Sequence, residues 1–104
     1  MAEVLARYSD SLAIDGINYI AQACGAADDR GLWEGWIEFI ALADEHVLRT
    51  SRETTQPNRV NALYWASGLT RVYLEGALER AAHHVERLNT TPAEPIFDEP
   101  EPRR

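Results

Sequence analysis

Glu79, His83 and Glu86 are spaced i, i+4 and i+7, and Glu75 extends the row. On a helix this spacing puts two carboxylates and an imidazole on one face, a donor set that can hold a divalent ion. The same spacing describes a solvated charged face. The interleaved Arg80 and Arg87 favour that plainer reading, so the chain is expected to carry no metal and no cofactor. A di-iron site in a helical bundle needs Glu-x-x-His. Asp44-Glu45-His46 does not supply it, because Ala43 stands three residues before His46. His84 projects about 100° away from His83 on a helix, so the adjacent imidazoles do not chelate. The serines Ser9, Ser11, Ser51 and Ser67 lack the context of a nucleophile elbow. No glycine-rich phosphate loop is present. Cys24 stands alone among Ile20, Ala21 and Ala27 with no cation beside it in sequence, the setting of a small buried hydrophobe. A single cysteine rules out an internal disulfide and suits a reducing cytoplasm. The expectation is a non-catalytic protein.

The 104 residues suffice for one domain with a modest core. The polar residues Glu3, Arg7, Ser11, Asp15, Asn18 and Gln22 recur every three or four positions, which predicts a helix over about 2–26. A rival reading pairs Leu12-Ala13-Ile14 with Ile17-Asn18-Tyr19 as a hairpin around Asp15-Gly16; the helix is preferred because its period runs past both sides of that pair. After Gly25 to Gly31, a second helix is expected over about 30–52, with Trp33, Trp36, Ile37, Ile40, Val47 and Leu48 on one side. Thr55 and Pro57 suit the start of a third helix over about 56–89. The expected fold is therefore an all-α three-helix bundle spanning 1–90, followed by a disordered Pro/Glu-rich acidic tail over 91–104. Within that tail, Ile96-Phe97 is a candidate docking motif. A third helix of this length would extend roughly 50 Å, beyond what the first two could cover. Self-association is the simplest way to bury the overhang, so a homodimer is expected.

The two tryptophans of the second segment raise a further possibility. Trp33-Glu34-Gly35 resembles the W-x-G signature of the WXG100 family of secreted helical hairpins. In that family the motif makes the turn between two long helices, and a Tyr-x-x-x-Asp/Glu export motif follows. Here Tyr64 leads to Gly68 and Tyr73 to Ala77, and Trp36-Ile37-Glu38-Phe39-Ile40 reads as continuing helix.

Net charge is −7, and all ten basic residues are arginine. No stretch is basic enough to grip phosphates, so direct nucleic-acid binding is excluded from the expectation. No apolar run is long enough to cross a membrane, and no leader-like segment opens the chain, so a cytoplasmic protein is expected. Aromatic residues and arginine are the usual material of binding hot spots. Trp33, Tyr64, Trp65, Leu69, Val72 and Tyr73 are thus the candidate subunit or partner interface. The function expected is that of a small acidic helical interaction module, acting as a homodimer or as a subunit or inhibitor of a larger complex. An alternative is an acidic inhibitor of the phage anti-defence type, blocking the basic groove of a nucleic-acid-binding complex. Clustering of Asp10, Asp15, Asp28, Glu34 and Glu38 on one surface would favour it. A second alternative is a helical metal-binding protein or enzyme using Glu79, His83 and Glu86.

Overall fold

The computed structural model describes residues 1–90, with side chains described as far as His83. Its first 56 residues form one antiparallel sheet, and two helices follow. The strands are β1 (Glu3–Arg7), β2 (Leu12–Ile14), β3 (Ile17–Ala27), β4 (Trp33–Ala41), β5 (Val47–Arg49) and β6 (Thr54–Gln56); the helices are α1 (Arg59–Ser67) and α2 (Arg71–Thr90). β3 and β4 are the long central pair, aligned from Tyr19↔Ala41 to Ala27↔Trp33. β1 and β2 share the far side of β3, while β5 and β6 share the far side of β4. The six strands therefore make four columns.

The all-α bundle is overturned. The expected helix over 2–26 is three strands, and that over 30–52 is β4, β5 and a connecting turn. The rival hairpin is the correct local reading: Asp15 and Gly16 both have positive φ, at 53° and 78°, between the paired Ile14 and Ile17. Positive φ at both central residues is the two-residue turn whose twist matches the flanking strands. Trp33-Glu34-Gly35 lies inside β4, so it makes no turn between helices and the WXG100 hairpin does not apply. The third helix is real but divided. Asn58, not Thr55, caps α1 by accepting from the Asn61 N–H, and Gly68 ends it. With α1 only 9 residues long and α2 20, the overhang argument for self-association falls away.

Alternation along the strands sorts the side chains. The inner face carries Leu12, Tyr19, Ala21, Ala23, Ile37, Phe39, Ala41 and Leu48, and receives Leu74, Ala77, Leu78 and Ala81 of α2. These helical positions recur at i, i+3, i+4 and i+7, one stripe of a helix. α1 buries Ala62 and Ala66, so it too approaches the sheet on small residues. The Gly25↔Gly35 pair makes a dimple under α1. Trp65 lies over Gly35, where an added Cβ would come within 2.6 Å of its ring. Leu5 and Trp33 crowd Gly25 in the same way. This dimple accounts for the glycine of the Trp-x-Gly triplet.

Ties between the layers are polar as well. The Glu53 carboxylate, with its side chain 6% exposed, accepts from Arg80 at 2.8 Å and from the Tyr73 hydroxyl. Burial alone would raise the Glu53 carboxyl, but the bonds from Arg80 and Tyr73 outweigh it and hold the pKa below its usual value. A carboxyl lowered in the fold contributes stability that is complete above its unfolded pKa and is lost as pH falls through the folded one. Melting temperature is therefore expected to be level near neutrality and to fall below about pH 4.5, with Glu53→Gln flattening that decline. A melting series from neutral to acid pH checks it; an unchanged slope in Glu53→Gln would contradict the assignment.

Candidate functional site

Both helices pack on the inner face, and among the described residues no element lies over the outer one. The outer face is built from the other parity of the strands: Val4 and Arg7 of β1, Ile20, Gln22 and Cys24 of β3, Glu34, Trp36, Glu38 and Ile40 of β4, and Val47 and Arg49 of β5. A chain of polar contacts crosses it. Arg7 Nε donates to Gln22 Oε1 at 3.2 Å, Gln22 Nε2 donates to Glu38 Oε1 at 3.0 Å, and Trp36 Nε1 donates to Glu38 Oε2 at 3.1 Å. The Arg49 guanidinium stacks on the Trp36 ring, 4.2 Å from its centroid. Four strands, β1, β3, β4 and β5, are thereby joined through side chains as well as backbone, with Glu38 at the centre.

The charges on this face are set by those contacts. Burial would raise the Glu38 carboxyl, yet hydrogen bonds from Trp36, Gln22 and Cys24, with Arg49 nearby, hold it below its ordinary value. Cys24 lies beneath this cluster, 3% exposed, and its thiol is pushed up to about 12 by burial and by the Glu38 carboxylate. It is a buried, protonated thiol, as its sequence setting predicted. Alkylation of Cys24 by iodoacetamide at mildly alkaline pH is expected to run roughly a hundredfold slower in the folded protein than in urea. Comparable rates in the two states would show the cluster to be open. At the margins of the face Val4 and Val47 are 40% and 52% exposed, and Ile20 and Ile40 are half-buried.

Two other groupings have the residue types of chemistry. Asp44 Oδ1 lies 2.7 Å from His46 Nδ1, and His46 Nε2 lies 3.1 Å from the Tyr19 hydroxyl. The line satisfies itself with the proton on Nδ1 and the phenol donating to Nε2. Tyr19 is only 3% exposed, and burial, with Asp44 and Asp15, raises its pKa, so it is no accessible nucleophile. The line closes the β4–β5 turn, where Glu45 takes a positive φ of 64°. Grooves of about 300 and 370 Å³ flank Arg71 beside β2 and α2. Glu75 at 3.1 Å and Asp10 at 3.9 Å already neutralise that arginine.

The sequence-predicted interface residues separate. Trp33, Trp65, Leu69 and Tyr73 are half-buried in contacts within the fold. Tyr64 and Val72 point outward, 81% and 77% exposed, and Val60 joins them at 71%. The acidic set is divided. Asp15 and Asp28 sit in turns at opposite ends of β3, Asp10 follows β1, and Glu34 and Glu38 lie on the outer face beside arginines. Glu79 and His83 are exposed on α2, while Glu86 falls outside the described side chains. No group of three metal-ligating side chains occurs among the described residues. The outer face itself went unread, although Trp36, Glu38 and Arg49 carry it. Their signal is the alternation of Glu34 and Glu38 with Trp33, Gly35, Ile37 and Phe39 along β4, interrupted by the apolar Trp36 and Ile40.

Comparison with protein-family models, with curated proteins and with solved structures found no match. No helix among the described residues is long and apolar enough to cross a membrane.

Proposed function

We propose that the protein is a non-catalytic interaction module whose contact surface is the outer face of the sheet. The observation carrying this reading is that face itself, a sheet side with no element of the described chain over it, organised around Trp36 and Arg49 and margined by exposed valines. Trp36 is itself only 7% exposed beneath Arg49, so the accessible material is the Arg49 guanidinium, of a residue type enriched at hot spots, with Val4 and Val47 beside it. Trp36 is held by Glu38, which Gln22 holds in turn, and Arg49 rests on the Trp36 ring, so binding costs little side-chain ordering. The lone buried thiol suits a cytoplasmic setting.

A photo-crosslinking amino acid placed at Val47 tests the reading, with one at Val72 on α2 as the control. Defined adducts in cells are expected from position 47 and not from position 72. Adducts from position 72 alone would move the contact surface to the helices and refute the proposal. An acidic inhibitor of a nucleic-acid-binding complex would instead engage through the scattered carboxylates, and the basic partner would be identified in the adduct.

A further inference from the structure

We infer that the occupant of the outer sheet face is a second copy of this chain, packed sheet to sheet about a two-fold axis. The inference rests on the interaction reading above and adds the partner. Its first ground is charge. The chain carries −7 overall, so two copies repel across most of their surface. Carboxylates occupy the loops and the outward side of α2, at Asp10, Asp15, Asp29, Asp44, Glu75 and Glu79. Arg71 and Arg80 accompany the α2 carboxylates, and the outer sheet face is also mixed in sign. Arg7 and Arg49 stand there with Glu34 and Glu38, and Arg52 reaches Glu34 at 3.9 Å from the β5–β6 connection. A two-fold contact sets a patch against itself, so that patch must hold both signs or neither. This face holds both, interleaved on neighbouring strands. A strongly basic or strongly acidic partner would find no matching field on it.

The second ground is area and shape. The β3–β4 ladder has 9 paired positions, and the strands form four columns. At about 3.3 Å per residue and about 4.8 Å per column, the face measures roughly 30 by 19 Å. Two such faces bury roughly 1,100 Å² as flat surfaces, just above the ~1,000 Å² that a specific interface needs, and side-chain relief adds to it. Sheets packed face to face place apolar side chains between them. Val4, Ile20, Ile40 and Val47 supply these around the Trp36–Arg49 stack.

Sedimentation of the full chain across the micromolar range decides it. The expected species has twice the 11.7 kDa chain mass. Val47→Asp enters a two-fold contact twice, so dimer dissociation should rise about a hundredfold or more. Val72→Asp, with its side chain on the opposite layer, should leave the dimer unchanged. Circular dichroism verifies that each variant is folded; if Val47→Asp is not, Val4→Asp carries the same test. A wild-type monomer at all concentrations overturns the inference, as does a dimer indifferent to both sheet-face variants. A monomer whose position 47 crosslinks a different protein would end the self-association proposal and leave the interaction module standing. Absence of any adduct from position 47 would end both.

Discussion

Replacing Phe39 by Ala is expected to remove about 3–5 kcal/mol of folding stability, the cost of truncating a fully enclosed phenylalanine. Phe39 is 0% exposed and is the largest of the fully buried side chains. It faces Ala21 across β3 and Leu48 across β5. The same core cluster includes Leu74, Ala77 and Leu78 of α2 above it. Of these neighbours Ala21 and Ala77 are short, and such side chains cannot lean in to refill the space. The cavity should therefore persist and put the loss toward the upper end. A domain of this size has a total stability of about 5–15 kcal/mol, so the variant will be marginal and must be measured in denaturant at low temperature. A loss under about 1 kcal/mol would mean that α2 does not sit on the inner face.

Gly35→Ala is expected to be the second most damaging change, although it adds one methyl group. The new Cβ would meet the Trp65 ring at 2.6 Å and the Thr54 methyl at 2.9 Å. Neither is the loose end of a flexible chain. Relief requires α1 to lift from the sheet, and overpacking of this kind costs about 1–3 kcal/mol. At roughly 4–8 °C per kcal/mol for a domain this size, the melting temperature should fall by about 4–24 °C. A smaller residue in place of Trp65 should return part of the loss, because the two positions share one space. If Gly35→Ala and Trp65→Leu are additive in the double variant, the stacking of Trp65 on Gly35 is wrong.

These two residues also show where sequence reasoning went astray. Gly35 in Trp-x-Gly reads as a turn, yet it is a strand glycine that admits an aromatic ring from a helix. β3 misled for a related reason. Its inner positions, Tyr19, Ala21, Ala23 and Gly25, are mostly small because helices ride close to them. Its outer positions include Ile20 and Cys24. With apolar residues on both sides, the two-residue alternation lost contrast, and the spacing of Glu3, Arg7, Ser11 and Asp15 imitated a helix. The polar residues of that series lie at strand ends, in turns or on the outer face. Asp15-Gly16 held the decisive local information, and it was outweighed by a longer but accidental period. β4 was legible in principle, since Trp33, Trp36, Ile37, Phe39 and Ile40 all favour strands. The helical region was read more faithfully: 59–67 and 71–90 fall almost wholly within the expected 56–89, divided at Gly68.

The candidate site was less legible than the fold. Trp33 and Trp36 are three apart, which places them on one side of a helix but on opposite faces of a strand. Trp33 therefore turns inward to the glycine dimple, and Trp36 turns outward under Arg49. The Arg7–Gln22–Glu38 line joins residues 15 and 16 positions apart, which only strand pairing brings together. Trp36 is 7% exposed, and its cover is Arg49 and not a helix.

Hydroxyl-radical footprinting of the associated protein tests most directly which surface makes contact. Oxidation rates of Val4, Ile40 and Val47 are compared with those of Val60, Tyr64 and Val72, in dilute and concentrated solution. The account predicts protection of the first three on association, with the helical three unchanged. Protection of Val60, Tyr64 and Val72, with the sheet-face residues still reactive, would contradict it.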